Sequence, residues 1–176
     1  ENTLHLKHHR FKRGYKNVIN ESKRLNAAGV QSPLAIETSG HGALSENYFL
    51  DDGAYLAVKL LIAAAKARRG GKRIDTLIEK LRRQFKCREY RMNISGEDFK
   101  AYGQQVLEQF EQRARAAGYA VAPNSYEGVR LTFDSEQVQG WVLLRLSLHD
   151  PLMPLNMEGN RPGDCDRLCA VVRTLL

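Results

Sequence analysis

The chain has 176 residues, 43% hydrophobic and 27% charged, with a formal net charge of +7. That length suffices for one good core or two small ones, and no apolar run approaches the roughly 20 residues of a membrane span. Nothing resembles a signal peptide. Three scattered cysteines, Cys87, Cys165 and Cys169, exclude a disulfide framework and suit a reducing cytoplasm, the expected location. The chain opens at Glu1 rather than methionine, which points to a processed chain or a fragment.

Leu4 to Phe11 reads as a strand. Lys16 to Ala28 reads as a helix with Val18, Ile19, Ser22 and Leu25 on one side and Gly29 as its stop. Leu34 to Glu37 is then a short buried strand, and strand–helix–strand order predicts a parallel sheet. Asp51 and Asp52 begin a helix to about Arg68, where acids suit the positive end. Gly70-Gly71 breaks it, and a second basic helix follows from about Ile74 to Phe85. Lys86 to Asn93 reads as a boundary, with one domain over 1–88 and another over 89–176.

Ser95-x-x-Asp98 is a capping-box signature. It opens a long amphipathic helix carrying Phe99, Tyr102, Val106, Phe110 and Ala114 at helical spacing, ended by Gly118. Strands are predicted at Tyr119 to Ala122, Tyr126 to Phe133, Trp141 to Leu148 and Leu152 to Glu158, then a helix from about Pro162 to Leu176. One long helix, a meander and a closing helix predict an α+β domain with a mostly antiparallel sheet.

The positive charge is uneven. Lys7, Arg10, Lys12, Arg13 and Lys16 crowd the N-terminus, and Lys66 to Arg91 holds eleven Lys/Arg against Asp75, Glu79 and Glu89. Such excess suits nucleic acid, a phosphorylated metabolite or an acidic protein surface. The run His8 to Lys16 precedes a helix, where backbone N–H groups favour an anion and Lys12 and Arg13 add full charges. Interleaved Phe11 and Tyr15 also resemble a nucleic-acid patch. A basic nucleic-acid-binding module is therefore the alternative function, although the strand–loop–helix context favours a discrete small anion.

Two alternating sets of polar side chains follow. Glu37, Ser39 and His41 lie just after the apolar run ending at Ile36; on an extended backbone all three point one way. A carboxylate, a hydroxyl and an imidazole converging at a strand end make a grip for a polyol such as a sugar. Arg145, Ser147 and His149 share one side of the predicted strand from Trp141 and run toward a turn at Asp150-Pro151. Arg offers a planar fork matched to phosphate oxygens, with Ser and His as further donors. Gly163-Asp164-Cys165-Asp166-Arg167 imitates a carboxylate metal loop. It sits where acids cap a helix, and two carboxylates lack a third ligand.

Phe11-Lys12-Arg13-Gly14-Tyr15-Lys16, Glu37-Thr38-Ser39-Gly40-His41 and Asp51-Asp52-Gly53 resemble the third domain of the α-D-phosphohexomutases, the phosphomannomutase/phosphoglucomutase family. The family's sugar loop reads Gly-Glu-x-Ser-Gly-His; Ile36 stands here in place of its first Gly. Gly140-Trp141-Val142-Leu143-Leu144-Arg145-Leu146-Ser147 resembles the phosphate-loop strand of the fourth domain, and Glu158 its later acid. The family pattern there continues Arg-x-Ser-Asn-Thr-x-Pro. Leu148, His149 and Asp150 depart from it, leaving His149 to replace a lost donor.

The resemblance implies a fold of class α/β plus α+β. A partial α/β/α sandwich is followed by a mostly antiparallel sheet packed on helices, of the TATA-box-binding-protein-like kind. It implies a parent enzyme that interconverts hexose 1-phosphate and hexose 6-phosphate through a phosphoserine and a bisphosphorylated sugar. Glu37 and Ser39 would read sugar hydroxyls, Lys12 and His41 would lie near the sugar phosphate, and Arg145 and Ser147 would clamp the phosphate not being transferred. The implied partners are a hexose phosphate or bisphosphate and the parent's N-terminal domains. The phosphoserine and the Mg²⁺ loop belong to those earlier domains, so this chain is expected to hold no catalytic residue, no metal and no mutase activity by itself.

Overall fold

The computed structural model describes residues 5–81, 85–123, 125–147 and 149–176. The chain divides into two compact units, residues 1–81 and 82–176.

The first unit is built around α1 (Tyr15–Ala27) and a hairpin of β1 (Leu34–Ile36) and β2 (Gly42–Leu44). One face of α1 brings Ile19 onto Ala35 and Ala43, with Val18 and Phe49 packed beside them. The Ser22 hydroxyl donates to the Ser32 carbonyl at 2.9 Å, tying the helix to the chain leading into β1. Glu21 is buried on the same helix and takes both Arg24 and His9. Next comes a 3₁₀ turn, Ser45–Asn47, then α2 (Gly53–Arg69), capped by the Asp52 carboxylate on the Tyr55 N–H at 2.9 Å.

Three expectations change here. Residues 6–11 form no strand, and Leu4 lies outside the described residues. The predicted parallel sheet is absent among the described residues, because β1 spends its pairing on β2 in an antiparallel hairpin. A strand without a partner has nothing to hold it extended. The second basic helix shrinks to a 3₁₀ turn, Ile74–Ile78, with residues 82–84 outside the description. No side chain of α2 is buried; Leu60 and Leu61 are 61% and 69% exposed.

The second unit is an antiparallel sheet with helices on one face. Its elements are β3 (Lys86–Asn93), α3 (Phe99–Ala116), β4 (Ala120–Val121), β5 (Gly128–Asp134), β6 (Gln139–Arg145), β7 (Leu152–Gly159) and α4 (Asp164–Leu175). The strand order is β3-β7-β6-β5-β4, with every neighbour antiparallel. Alternate residues Leu131, Val142, Leu144, Leu155 and Met157 face the helices, which contribute Phe110, Ala114, Leu168 and Val172. Arg113 of α3 donates to the Leu175 and Leu176 carbonyls at 3.1 and 2.7 Å, a cation on the negative end of α4.

The antiparallel expectation holds, and the meander and both helices lie close to their predicted places. Lys86–Asn93 is an eight-residue edge strand rather than a boundary, so the expected division after residue 88 falls inside β3. The cap of α3 is the Asp98 side chain, which accepts from the Ala101 N–H at 3.0 Å, in place of the expected Ser95 box. No helix among the described residues is long and apolar enough to cross a membrane.

Glu21 supplies a pH test of the first unit. The Arg24 hydrogen bond, helped by His9, lowers its carboxyl from 4.5 to about 2. A depressed folded value stabilises the unit above the unfolded value, and this is lost as pH falls from about 4.5 toward about 2. Urea unfolding followed on α1 should show stability declining through that window in the native chain. The decline should be shallower in Glu21→Gln.

Candidate functional site

The loop between β1 and β2 is a tight hairpin turn, where an extended run was expected. Gly40 N–H donates to the Glu37 carbonyl at 2.9 Å, and Glu37 N–H donates to the His41 carbonyl at 2.9 Å. Gly40, at φ +95°, takes the left-handed position that ends a three-residue hairpin loop. Alternation therefore does not align Glu37, Ser39 and His41. Glu37 and His41 instead face one another across the mouth of the loop, next after the Ile36–Gly42 pair. Ser39 sits exposed at the tip.

The N-terminus of α1 comes to this mouth. Gly14 N–H donates to the Glu37 carboxylate at 3.2 Å. The Tyr15 ring stacks on His41 with centroids 5.0 Å apart and planes 24° from parallel. Gly14 has φ +103°, and a Cβ there would meet Asn17 Nδ2 at 3.0 Å; the chain needs glycine to turn into the helix and aim its N–H at Glu37. Lys12 is exposed two residues earlier. A helix N-terminus next to cationic residues favours an anion, and the loop adds one carboxylate, one hydroxyl and one imidazole. The carboxylate keeps capacity for a second donor after taking Gly14.

The two residues just before α2 close the other side. The Asp51 carboxylate takes His41 Nδ1 at 2.7 Å and Gly42 N–H at 3.2 Å. Asp52 caps the helix, and the Tyr55 N–H holds its carboxyl below the usual range. The two neighbouring acids thus have different partners, although by position both read from the sequence as residues for the helix start. Gly14, Tyr15 and Asp51 were missed as site residues. The signals available were the segments around Gly14-Tyr15 and Asp51-Asp52, which carry the family resemblance, and Gly40 between two short apolar runs, a hairpin cue that sets residue 41 on returning chain.

In the second unit, β6 ends at Arg145, so the alternation does not extend to His149. Ser147 and His149 lie in the turn into β7, with Leu148 outside the described residues. The Ser147 hydroxyl accepts the Asp150 N–H at 3.2 Å, and Ser147 N–H donates to the Leu152 carbonyl at 3.0 Å. His149 is exposed. Arg145 is half-buried on the sheet face away from the helices, near Glu89. The carboxyl of Glu89 is held below its usual range first by Arg91, then by Asn156, with the charge of Arg145 adding to both. On the same face the Arg130 guanidinium stacks 3.8 Å from the Trp141 centroid, and the Trp141 indole donates to Glu158 at 2.6 Å.

The metal-like segment at α4 does not fit a Mg²⁺ ion. Asp164 is fully buried and holds Arg161 at 3.2 Å and Arg167 at 3.3 Å, while Asp166 pairs with Arg88 at 2.6 Å. Among the described residues no group of three His, Cys, Asp or Glu could hold a metal ion.

Replacing Gly14 tests the local geometry. Gly14→Ala should cost the first unit about 1–3 kcal/mol in denaturant unfolding, since an L-residue is strained at this φ. Amide exchange at Glu37 and Gly40 should accelerate with it.

Comparison with known proteins now bears on these residues. The family model described as Phosphoglucomutase/phosphomannomutase, alpha/beta/alpha domain III, matches residues 2–85, which contain the whole loop, α1 and Asp51. A solved structure of a phosphoglucomutase/phosphomannomutase family protein from Burkholderia thailandensis is similar in fold, with a TM-score of 0.62 and 22% identity. The likeness covers 93% of this chain and 32% of that one, so the chain spans about a third of the length of the protein it resembles. No curated protein matches the chain. Residues 2–85 therefore resemble the third domain of the phosphoglucomutase/phosphomannomutase family.

Proposed function

We propose that this chain is the substrate-binding C-terminal portion of a phosphomannomutase/phosphoglucomutase. The parent enzyme would interconvert hexose 1-phosphate and hexose 6-phosphate through a phosphoserine and a bisphosphorylated sugar. The observation that carries the proposal is the junction of Glu37, His41, Gly14 and Tyr15 at the start of α1, all within the segment matched to the family's third domain. We read the second unit as the family's TATA-box-binding-protein-like fourth domain, and the cytoplasm as the site of action.

In this reading Glu37 and Ser39 accept and donate hydrogen bonds to sugar hydroxyls. His41 and Lys12 meet the phosphate, and the start of α1 adds partial positive charge. Arg145 and Ser147, with His149 from the altered turn, hold the distal phosphate. A mutase must take the bisphosphate in two opposite orientations, and hydroxyls that occupy similar places after reorientation allow one loop to serve both. Positioning and electrostatic stabilisation dominate phosphoryl transfer, so a binding portion governs turnover without supplying the nucleophile. Mg²⁺ would be held by the parent's other domains and would neutralise charge on the transferring phosphoryl group.

The nucleic-acid alternative is weaker because several cations are engaged in ion pairs. Arg88, Arg91, Arg161 and Arg167 face Asp166, Glu89 and Asp164. Titration calorimetry with glucose 1,6-bisphosphate should show binding to the native chain. Glu37→Gln and Ser39→Ala should each weaken it about tenfold, and glucose 1-phosphate should not be turned over. Turnover by the isolated chain, or binding indifferent to both substitutions, would contradict the proposal.

A further inference from the structure

Asp51, just before α2, has no assigned part in ligand binding, yet its carboxylate touches the returning side of the loop. One carboxylate oxygen takes His41 Nδ1 at 2.7 Å and the other takes Gly42 N–H at 3.2 Å. An antiparallel bridge between Ala43 and Asp51 fixes the returning chain, so the carboxylate is anchored by backbone on one side. Tyr15 covers one face of the imidazole. The ring is thus held by an edge and a face, while Nε2 makes no hydrogen bond among the described residues. The His41 and Asp51 side chains are 50% and 25% exposed. Ion pairs this open contribute little to stability, so the fold alone does not account for the arrangement.

We propose that Asp51 is a positioning residue that keeps a proton on Nδ1 of His41 and so makes Nε2 the atom offered to the ligand. The partner of one imidazole nitrogen decides the role of the other. With Asp51 accepting at Nδ1, a neutral ring accepts a sugar hydroxyl at Nε2, and a protonated ring donates there to a phosphate oxygen. Gly42 N–H matters to this device. It occupies the second carboxylate oxygen and stops the group from turning away. The inference deepens the sugar-phosphate reading and rests on it for the identity of the ligand.

The substitution Asp51→Asn makes the proposal sharp. The carboxamide keeps the shape, and Gly42 N–H requires its carbonyl. The amide NH₂ then faces His41 Nδ1 and donates to it, forcing the proton of the neutral ring onto Nε2. Imidazole ¹⁵N spectra of the labelled full chain, at a pH where the ring is neutral, read this directly. The native chain should show a protonated Nδ1 and a bare Nε2; Asp51→Asn should reverse them. The same variant should bind glucose 1,6-bisphosphate about tenfold more weakly. A native chain with its proton on Nε2, an unchanged tautomer in Asp51→Asn, or unaltered affinity after the tautomer has switched would each overturn the proposal. The native spectrum alone suffices if the variant fails to fold. Because the tautomer is read without ligand, a chain that shows both predicted tautomers but binds no bisphosphate would sink the sugar-phosphate reading rather than the hold of Asp51 on His41.

Discussion

One hydrogen bond, from Gly14 N–H to the Glu37 carboxylate, joins the two elements on which the candidate site depends. It requires the start of α1 and the mouth of the β1–β2 hairpin to meet. Gly14 permits this from one side by its left-handed backbone, and Gly40 permits it from the other by closing the loop. Once the two are joined, Tyr15 has His41 to stack on, and the chain returning through Ser45–Asn47 brings Asp51 to the far edge of the same ring. The small Ile19–Ala35–Ala43 core behind them keeps helix and hairpin in register. A polar cluster of this kind on so small a core owes its order to hydrogen bonds at fixed backbone positions more than to buried area.

The second unit was the more legible half. Val142 and Leu144 alternate with Trp141, Leu143 and Arg145, and that period of two survives as buried and half-buried faces of β6. Phe110 and Ala114 likewise keep helical spacing and fill the core between α3 and the sheet. The strand that was missed, β3, has a physical excuse. Among the described residues it pairs only with β7, at the edge of the sheet, and carries Arg88, Glu89 and Arg91. Its hydrophobic alternation is too weak to announce a strand, and charge on an edge is a common guard against further pairing.

The first unit was misread where pairing, rather than pattern, decides structure. Residues 6–11 have strand-like composition and no strand partner among the described residues. The Glu37–His41 stretch alternates polar and small residues in a way that suits an extended chain equally well, and only the closing of the hairpin on β2 selects the turn. The identities of Glu37, Ser39 and His41 were readable, while their mutual geometry was not. Asp51 and Asp52 illustrate the same limit: both satisfy the preference for acids at a helix start, and only the fold separates the cap from the histidine's partner.

The central claim is that the Gly14–Glu37 junction is a recognition surface for a phosphorylated hexose. Backbone amide spectra of the labelled chain during titration with glucose 1,6-bisphosphate test it most directly. The account predicts saturable shifts at Gly14, Tyr15, Ser39, Gly40 and Gly42. Titration that leaves those amides unmoved would contradict it.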